Sequence, residues 1–206
     1  MGECNVLLIG GPPGAGKTTL ARSVAGRLGW LSTTVDDLVN TARIFANPHD
    51  HPDLHRRQGI GHLQYFTDGP PDRLIDDAVA LQNVMWPVLE RLIRFHGADK
   101  APIVLDWWLF NPEKVAELPD RATKSVWLHI DPVVLEERER ANSEFREGSS
   151  DPERMHANFM ERSYWRNNLI AEQAAVAGLP VVHQPGNRSV DNLASETIRL
   201  LDHTTA

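Results

Sequence analysis

The stretch Gly11-Pro-Pro-Gly-Ala-Gly16-Lys17-Thr18 constrains this chain more than any other part of it. It matches G-x-x-x-x-G-K-[ST], a loop whose glycines let successive backbone N–H groups turn inward around a phosphate chain. Its context fits. The apolar run Val6 to Ile9 reads as a buried strand, and Lys17 to Leu28 reads as an amphipathic helix stopped by Gly29. The helix N-terminus adds partial positive charge to the loop. Gly11, Pro12, Pro13, Gly14, Ala15, Gly16, Lys17, Thr18 and Thr19 are the expected phosphate cradle. Lys17 reaches the terminal phosphates, and Thr18 offers a hydroxyl to Mg²⁺.

Beyond the loop, apolar runs alternate with helical patterns, as in a parallel sheet covered by helices. Trp30 to Val35, Ile103 to Asp106, Val126 to Ile130 and Pro180 to His183 are the further strand candidates. Asp36-Asp37 and a short helix to about Phe45 follow the second of the five. Long helices are expected at about 71–96 and 153–177, and a last one from Ser189 to about His203. Asn111-Pro112, Asp131-Pro132 and Asp151-Pro152 each put a capping side chain before a proline suited to the first helical position. Two polar segments, 46–71 and 143–152, read as neither strand nor helix. Loops as long as the first are usually functional.

With 21 Lys+Arg against 28 Asp+Glu, the 206 residues carry a formal charge of −7, which argues against nucleic acid as a partner. The hydrophobic fraction of 41% is that of a globular chain long enough for a real core, expected as one domain over 1–206. No run is long enough to span a membrane. The lone Cys4 forms no internal bridge, so a reducing compartment, the cytoplasm, is expected. Nothing in the sequence sets an oligomeric state.

Several residues suit chemistry on a phosphate. Asp36 or Asp37 is a candidate base, because a hydroxyl attacking phosphorus must lose its proton; one of the pair also suits a helix cap. Asp106, at the C-terminal end of a strand, suits an Mg²⁺ site shared with Thr18. Of Trp107 and Trp108, one packs in the core and one walls an acceptor pocket, with Trp107 taken as the pocket residue. Arg43, Arg57, His62 and Tyr65 in the first polar region, and Arg162 later, supply donors for a phosphate, a sugar or a carboxylate. Arg138 and Arg146 are candidates to stabilise a transferring phosphoryl group. His49, His51, His55 and His62 match no zinc spacing, and a polar substrate-binding segment is the preferred reading.

The order of these features resembles the superfamily of small P-loop kinases that includes adenylate, shikimate and gluconate kinases. The resemblance implies a three-layer α/β fold with a parallel five-stranded sheet in the order 2-3-1-4-5. It also implies an acceptor-binding insertion at about 38–75, a lid at about 140–154, and ATP with Mg²⁺. Thr34-Val35-Asp36-Asp37-Leu38-Val39 looks like the strand-two end of chloramphenicol phosphotransferase, which implies that Asp36 is the base. Leu135-Glu-Glu-Arg138 resembles the adenylate-kinase stretch whose arginine lies against adenine; a second arginine found there is Asn142 here. Gln184-Pro-Gly-Asn187-Arg188 resembles the loop that presents backbone to the base. Gly61 to Leu74 looks like bacterial proteins described as 2-phosphoglycerate-kinase-like. The implied activity is transfer of the γ-phosphate of ATP to a hydroxyl of a small molecule. A nucleoside monophosphate kinase and a non-catalytic nucleotide switch are the alternatives. The absence of an N/T-K-x-D motif weighs against a guanine-nucleotide switch.

Overall fold

The computed structural model describes residues 4–99, 101–118 and 122–203. Strands β1 (Val6–Gly10), β2 (Leu31–Thr34), β3 (Ile103–Trp107), β4 (Thr123–Ile130) and β5 (Val181–Gln184) form one sheet. Its order is β2-β3-β1-β4-β5, and every neighbouring pair is parallel. The helices are α1 (Lys17–Leu28), α2 (Val35–Phe45), α3 (His62–Asp68), α4 (Pro71–Asp99), α5 (Pro112–Ala116), α6 (Pro132–Ala141), α7 (Pro152–Val176) and α8 (Val190–His203).

Alternate residues of the central strands face opposite helix layers, because successive side chains of a strand point to opposite faces. Leu7, Ile9, Val126, Leu128 and Ile130 pack with Leu20 and Val24 of α1 and Leu193 of α8. Val6, Leu8, Leu105 and Trp127 pack with Met85, Leu89 and Ile93 of α4 and Ile170 of α7. Both faces are buried, so β1 reads as a continuous apolar run, as does β3 up to Leu105. Among the described residues, no helix is long and apolar enough to cross a membrane.

The capping reading of the sequence is realised in bonds. The side chains of Asn111, Asp131 and Asp151 accept from the backbone N–H of Lys114, Val133 and Arg154 at 2.9–3.0 Å.

Three local expectations change. The second strand is shorter, and α2 begins at Val35, so Asp36 and Asp37 occupy its first turn, where the helix dipole favours negative charge. The segment 46–71 contains a 3₁₀ turn at Pro52–His55 and the whole of α3. Seven residues are too few to show a period in sequence; α3 is held by burying Tyr65 and Phe66 against α7. The second polar segment likewise holds a 3₁₀ turn, Ser143–Arg146.

Candidate active site

The phosphate loop joins β1 to α1 at the C-terminal edge of the sheet. Gly14 and Gly16 have φ of 76° and 91°, a region that residues with a Cβ enter only with strain, so the loop needs glycine at both places. Lys17 is buried, and its Nζ donates to the Pro12 carbonyl at 2.8 Å, turning the ammonium back over the loop. Burial pulls its pKa down to about 8, against the opposing pull of the Asp106 and Asp36 charges. Thr19 lies exposed on the first turn of α1.

The Thr18 hydroxyl donates to Asp106 Oδ2 at 2.7 Å. Register places Asp106 opposite Ile9 of β1 and Thr34 of β2, at the centre of the edge. Asp106 is 2% exposed, and among the described residues its Oδ1 makes no hydrogen bond. Burial raises its pKa. A buried carboxylate oxygen without a partner is costly, and a cation beside it removes that cost. Thr18 and Asp106 would therefore suit a hard divalent ion, which oxygen donors prefer. Among the described residues, no three His, Cys, Asp or Glu side chains gather to hold a metal, which leaves the His-rich segment without a zinc-binding arrangement.

Asp36 and Asp37 differ in surroundings. The Trp107 indole N–H donates to Asp36 Oδ1 at 3.3 Å. Although Asp36 is exposed on the first turn of α2, surrounding protein strips enough water from it to raise its pKa, with the Lys17 charge pulling the other way. Asp37 is exposed, and its carbonyl accepts from the Thr41 hydroxyl at 2.8 Å. Trp107, expected as a pocket wall, is fully buried with its ring edge-on to Phe110, because inward residues of β3 pack against α4 and α7. Trp108, one residue past the strand, faces the pocket instead.

That pocket lies between α2, α3, α4 and α7, and Arg43, Arg57, Tyr65, Asp77, Trp108 and Arg162 are in its wall. Arg43 and Arg57 also border an adjoining open cavity of about 620 Å³. The Arg162 guanidinium lies 4.5 Å over the Trp108 ring and 4.8 Å over Phe66; that of Arg57 lies 4.3 Å over Tyr65. Arg162 is 6% exposed, and burial lowers its pKa to about 10. Its Nε and that of Arg57 are buried and make no hydrogen bond among the described residues. Arg43 donates from Nε to the Leu54 carbonyl at 2.9 Å. None of these three arginines makes an ion pair among the described residues. By contrast, Arg56 and Arg73 pair with Asp77, which also accepts from the Tyr65 hydroxyl at 3.0 Å. Tyr65 is pushed up to about 12 by its burial and by that aspartate.

His62 lies outside the pocket wall. Its ring sits 5.7 Å from Phe145 of the second 3₁₀ turn, which packs in turn on Phe66 and Phe159. The Thr67 and Ser149 hydroxyls meet at 2.9 Å, so the 143–152 segment is docked on α3.

The later arginines divide by task. Arg138 donates to the Gly14 carbonyl at 3.0 Å, directly at the phosphate loop. Arg146 is spent on the Glu139 and Arg140 carbonyls at 2.9 and 3.0 Å and on His156 Nδ1 at 3.0 Å, which fastens the 3₁₀ turn to α6. Arg166 is fully buried and donates to the Trp108 and Phe110 carbonyls, holding the turn after β3. Arg154 is exposed. Asn187 is exposed on a loop shaped by Gln184, whose side chain accepts from Gly186 N–H at 3.1 Å. Sequence reasoning missed Trp108, Asp77 and the buried Glu139; the last sits in a charged run that reads as a solvated helix face.

The parallel sheet in this strand order carries a G-x-x-x-x-G-K-T loop at its first strand-to-helix turn. The sequence model of the ATPase family associated with various cellular activities (AAA) matches residues 7–51, which hold the phosphate loop, α1, β2 and α2. Shikimate kinase from Bacteroides thetaiotaomicron is similar in structure, with a TM-score of 0.57 and 16% identity over 96% of this chain and 98% of that one. Shikimate kinase from Acinetobacter baumannii in complex with shikimate matches with a TM-score of 0.52 and 17% identity over 98% and 96%. An uncharacterised protein from Eubacterium ventriosum gives 0.52 and 14% over 97% and 98%. No curated protein matches the chain. At these identities the likeness is one of fold.

Proposed function

We propose that this protein is an ATP-dependent phosphotransferase that moves the γ-phosphate onto a hydroxyl of a small molecule carrying an anionic group. The observation that carries this reading is a set of guanidinium groups that make no ion pair among the described residues, Arg43, Arg57 and Arg162, in one pocket wall, with the Asp36 charge acting on Arg43 and Arg162. Desolvated cations with open donors have most to gain from a carboxylate or phosphate on the ligand.

The residues divide the work as follows. The loop N–H groups and Lys17 bind and orient the phosphates, with Arg138 beside them. Thr18 and Asp106 would hold Mg²⁺, which would neutralise charge developing on the phosphate oxygens. The arginine pocket anchors the acceptor so that its hydroxyl faces Asp36, which takes the hydroxyl proton as oxygen attacks phosphorus. The arrangement favours a hydroxyl over a phosphate acceptor. A phosphate oxygen is already ionised, needs no base, and would be repelled by the Asp36 carboxylate.

A calorimetric screen of hydroxylated carboxylates and sugar phosphates, with a non-hydrolysable ATP analogue and Mg²⁺ present, tests the pocket. An anionic ligand should bind, and its neutral amide or alcohol analogue should not. Binding confined to neutral polyols contradicts the reading.

A further inference from the structure

Glu139 is a buried carboxylate that the scheme above leaves without a task. It stands on the last turn of α6, one residue after Arg138, and is 7% exposed. Its Oε1 lies 2.5 Å from the position a Cβ on Gly14 would take, so the carboxylate rests directly on the phosphate loop. No hydrogen bond or ion pair to that carboxylate exists among the described residues. The neighbouring acids are placed otherwise: Glu136 is occupied by His156, Tyr164 and Arg140 at 2.8–2.9 Å.

Burial raises the Glu139 pKa, against the opposing pull of the Lys17, Arg146 and Arg162 charges that hold it toward the ionised form. Arg146 approaches it only through its main-chain oxygen. Lys17 and Arg162 belong to the phosphate and acceptor ends of the site. Fixing a negative charge at that point offsets part of the positive field that polyphosphate would otherwise meet. Packing alone does not explain a carboxylate here, since an uncharged side chain of equal size would fill the same space.

We infer that Glu139 is an affinity-setting residue: an internal counter-anion at the phosphate loop that weakens nucleotide binding in proportion to the number of phosphates. Binding polyphosphate then requires Lys17 and Arg162 to be shared with a resident negative charge. The consequence is easier release of the diphosphate product than the loop alone allows. This inference rests on the phosphate-site reading of the loop and goes beyond it.

The test is calorimetric titration of Glu139→Gln with a non-hydrolysable ATP analogue, ADP and AMP in excess Mg²⁺. Glu139→Asp serves as the charge-conserving control. Glu139→Gln should bind the triphosphate analogue roughly tenfold tighter than wild type. The gain should be smaller for ADP and absent for AMP, and Glu139→Asp should stay within about twofold of wild type. Unchanged or weaker triphosphate binding by a folded Glu139→Gln overturns the inference, as does an equal gain for all three nucleotides. Should wild type and variant both fail to bind any nucleotide, the phosphate-site reading itself falls and takes this inference with it. Should Glu139→Gln fail to fold, Glu139→Met gives the same comparison without charge.

Discussion

The indole N–H of Trp107 donates to Asp36 Oδ1 at 3.3 Å, joining the last residue of β3 to the first turn of α2. Trp107 is fully buried, so this bond fixes a carboxylate of the cleft to a ring that the core holds still. It also favours the ionised form of Asp36, against the dehydration that raises the pKa.

Asp36→Asn should therefore lower kcat by about 10²–10⁴ while sparing ATP affinity. As the proposed base, Asp36 acts only when ionised. Because its pKa lies above the ordinary carboxylate value, kcat should decline as pH falls through that raised value, at a higher pH than for a free aspartate. Trp107→Phe removes the donor, raises the Asp36 pKa further and should move this acid limb to still higher pH. A pH–rate profile of the two proteins checks the direction; coincident limbs contradict it.

Arg162→Met separates recognition from stability. The guanidinium is buried and without an acid partner, and its lowered pKa means that folding works against its charge. The melting temperature of the variant should equal or exceed that of wild type. Acceptor KM should rise roughly tenfold to a hundredfold, the cost of losing a charge-assisted anchor, with ATP binding unchanged. Thermal melts and steady-state kinetics on one preparation test both halves.

Gly10→Ala tests the packing beneath the loop. A Cβ on Gly10 would overlap the Trp127 ring, which fills the space under the last residue of β1. Both residues are central in the sheet, and neither can withdraw. Denaturant unfolding should show a loss of about 1–3 kcal/mol or more, as overpacking of a close-packed core does. A loss under about 0.5 kcal/mol would show that the ring has room to shift.

How far the sequence reached depends on whether a feature is local. The phosphate loop, its flanking strand and helix, and the three Asx-Pro helix starts carry their reasons within a few residues. The pocket does not. Arg57 lies between two short helical segments, and its meeting with Arg43 and Arg162 depends on how α2, α3 and α7 pack. The Trp107-Trp108 pair shows the same limit. Adjacent tryptophans at a strand end point to opposite sides, and only the sheet's position decides which faces the core. Glu139 was hidden for a related reason, because a charged run on a helix looks solvated until a loop 125 residues away is found against it.

The measurement closest to the central claim is ADP formation from ATP and Mg²⁺ in the presence of a panel of small hydroxylated anions, run in parallel with Lys17→Ala. At least one anionic acceptor should raise ADP formation well above the acceptor-free rate and yield a phosphorylated product. Lys17→Ala should lose that activity while keeping its fold. If no hydroxylated anion stimulates the wild-type protein, or if Lys17→Ala turns over the same acceptor at the wild-type rate, the assignment as a kinase of small anionic alcohols is contradicted.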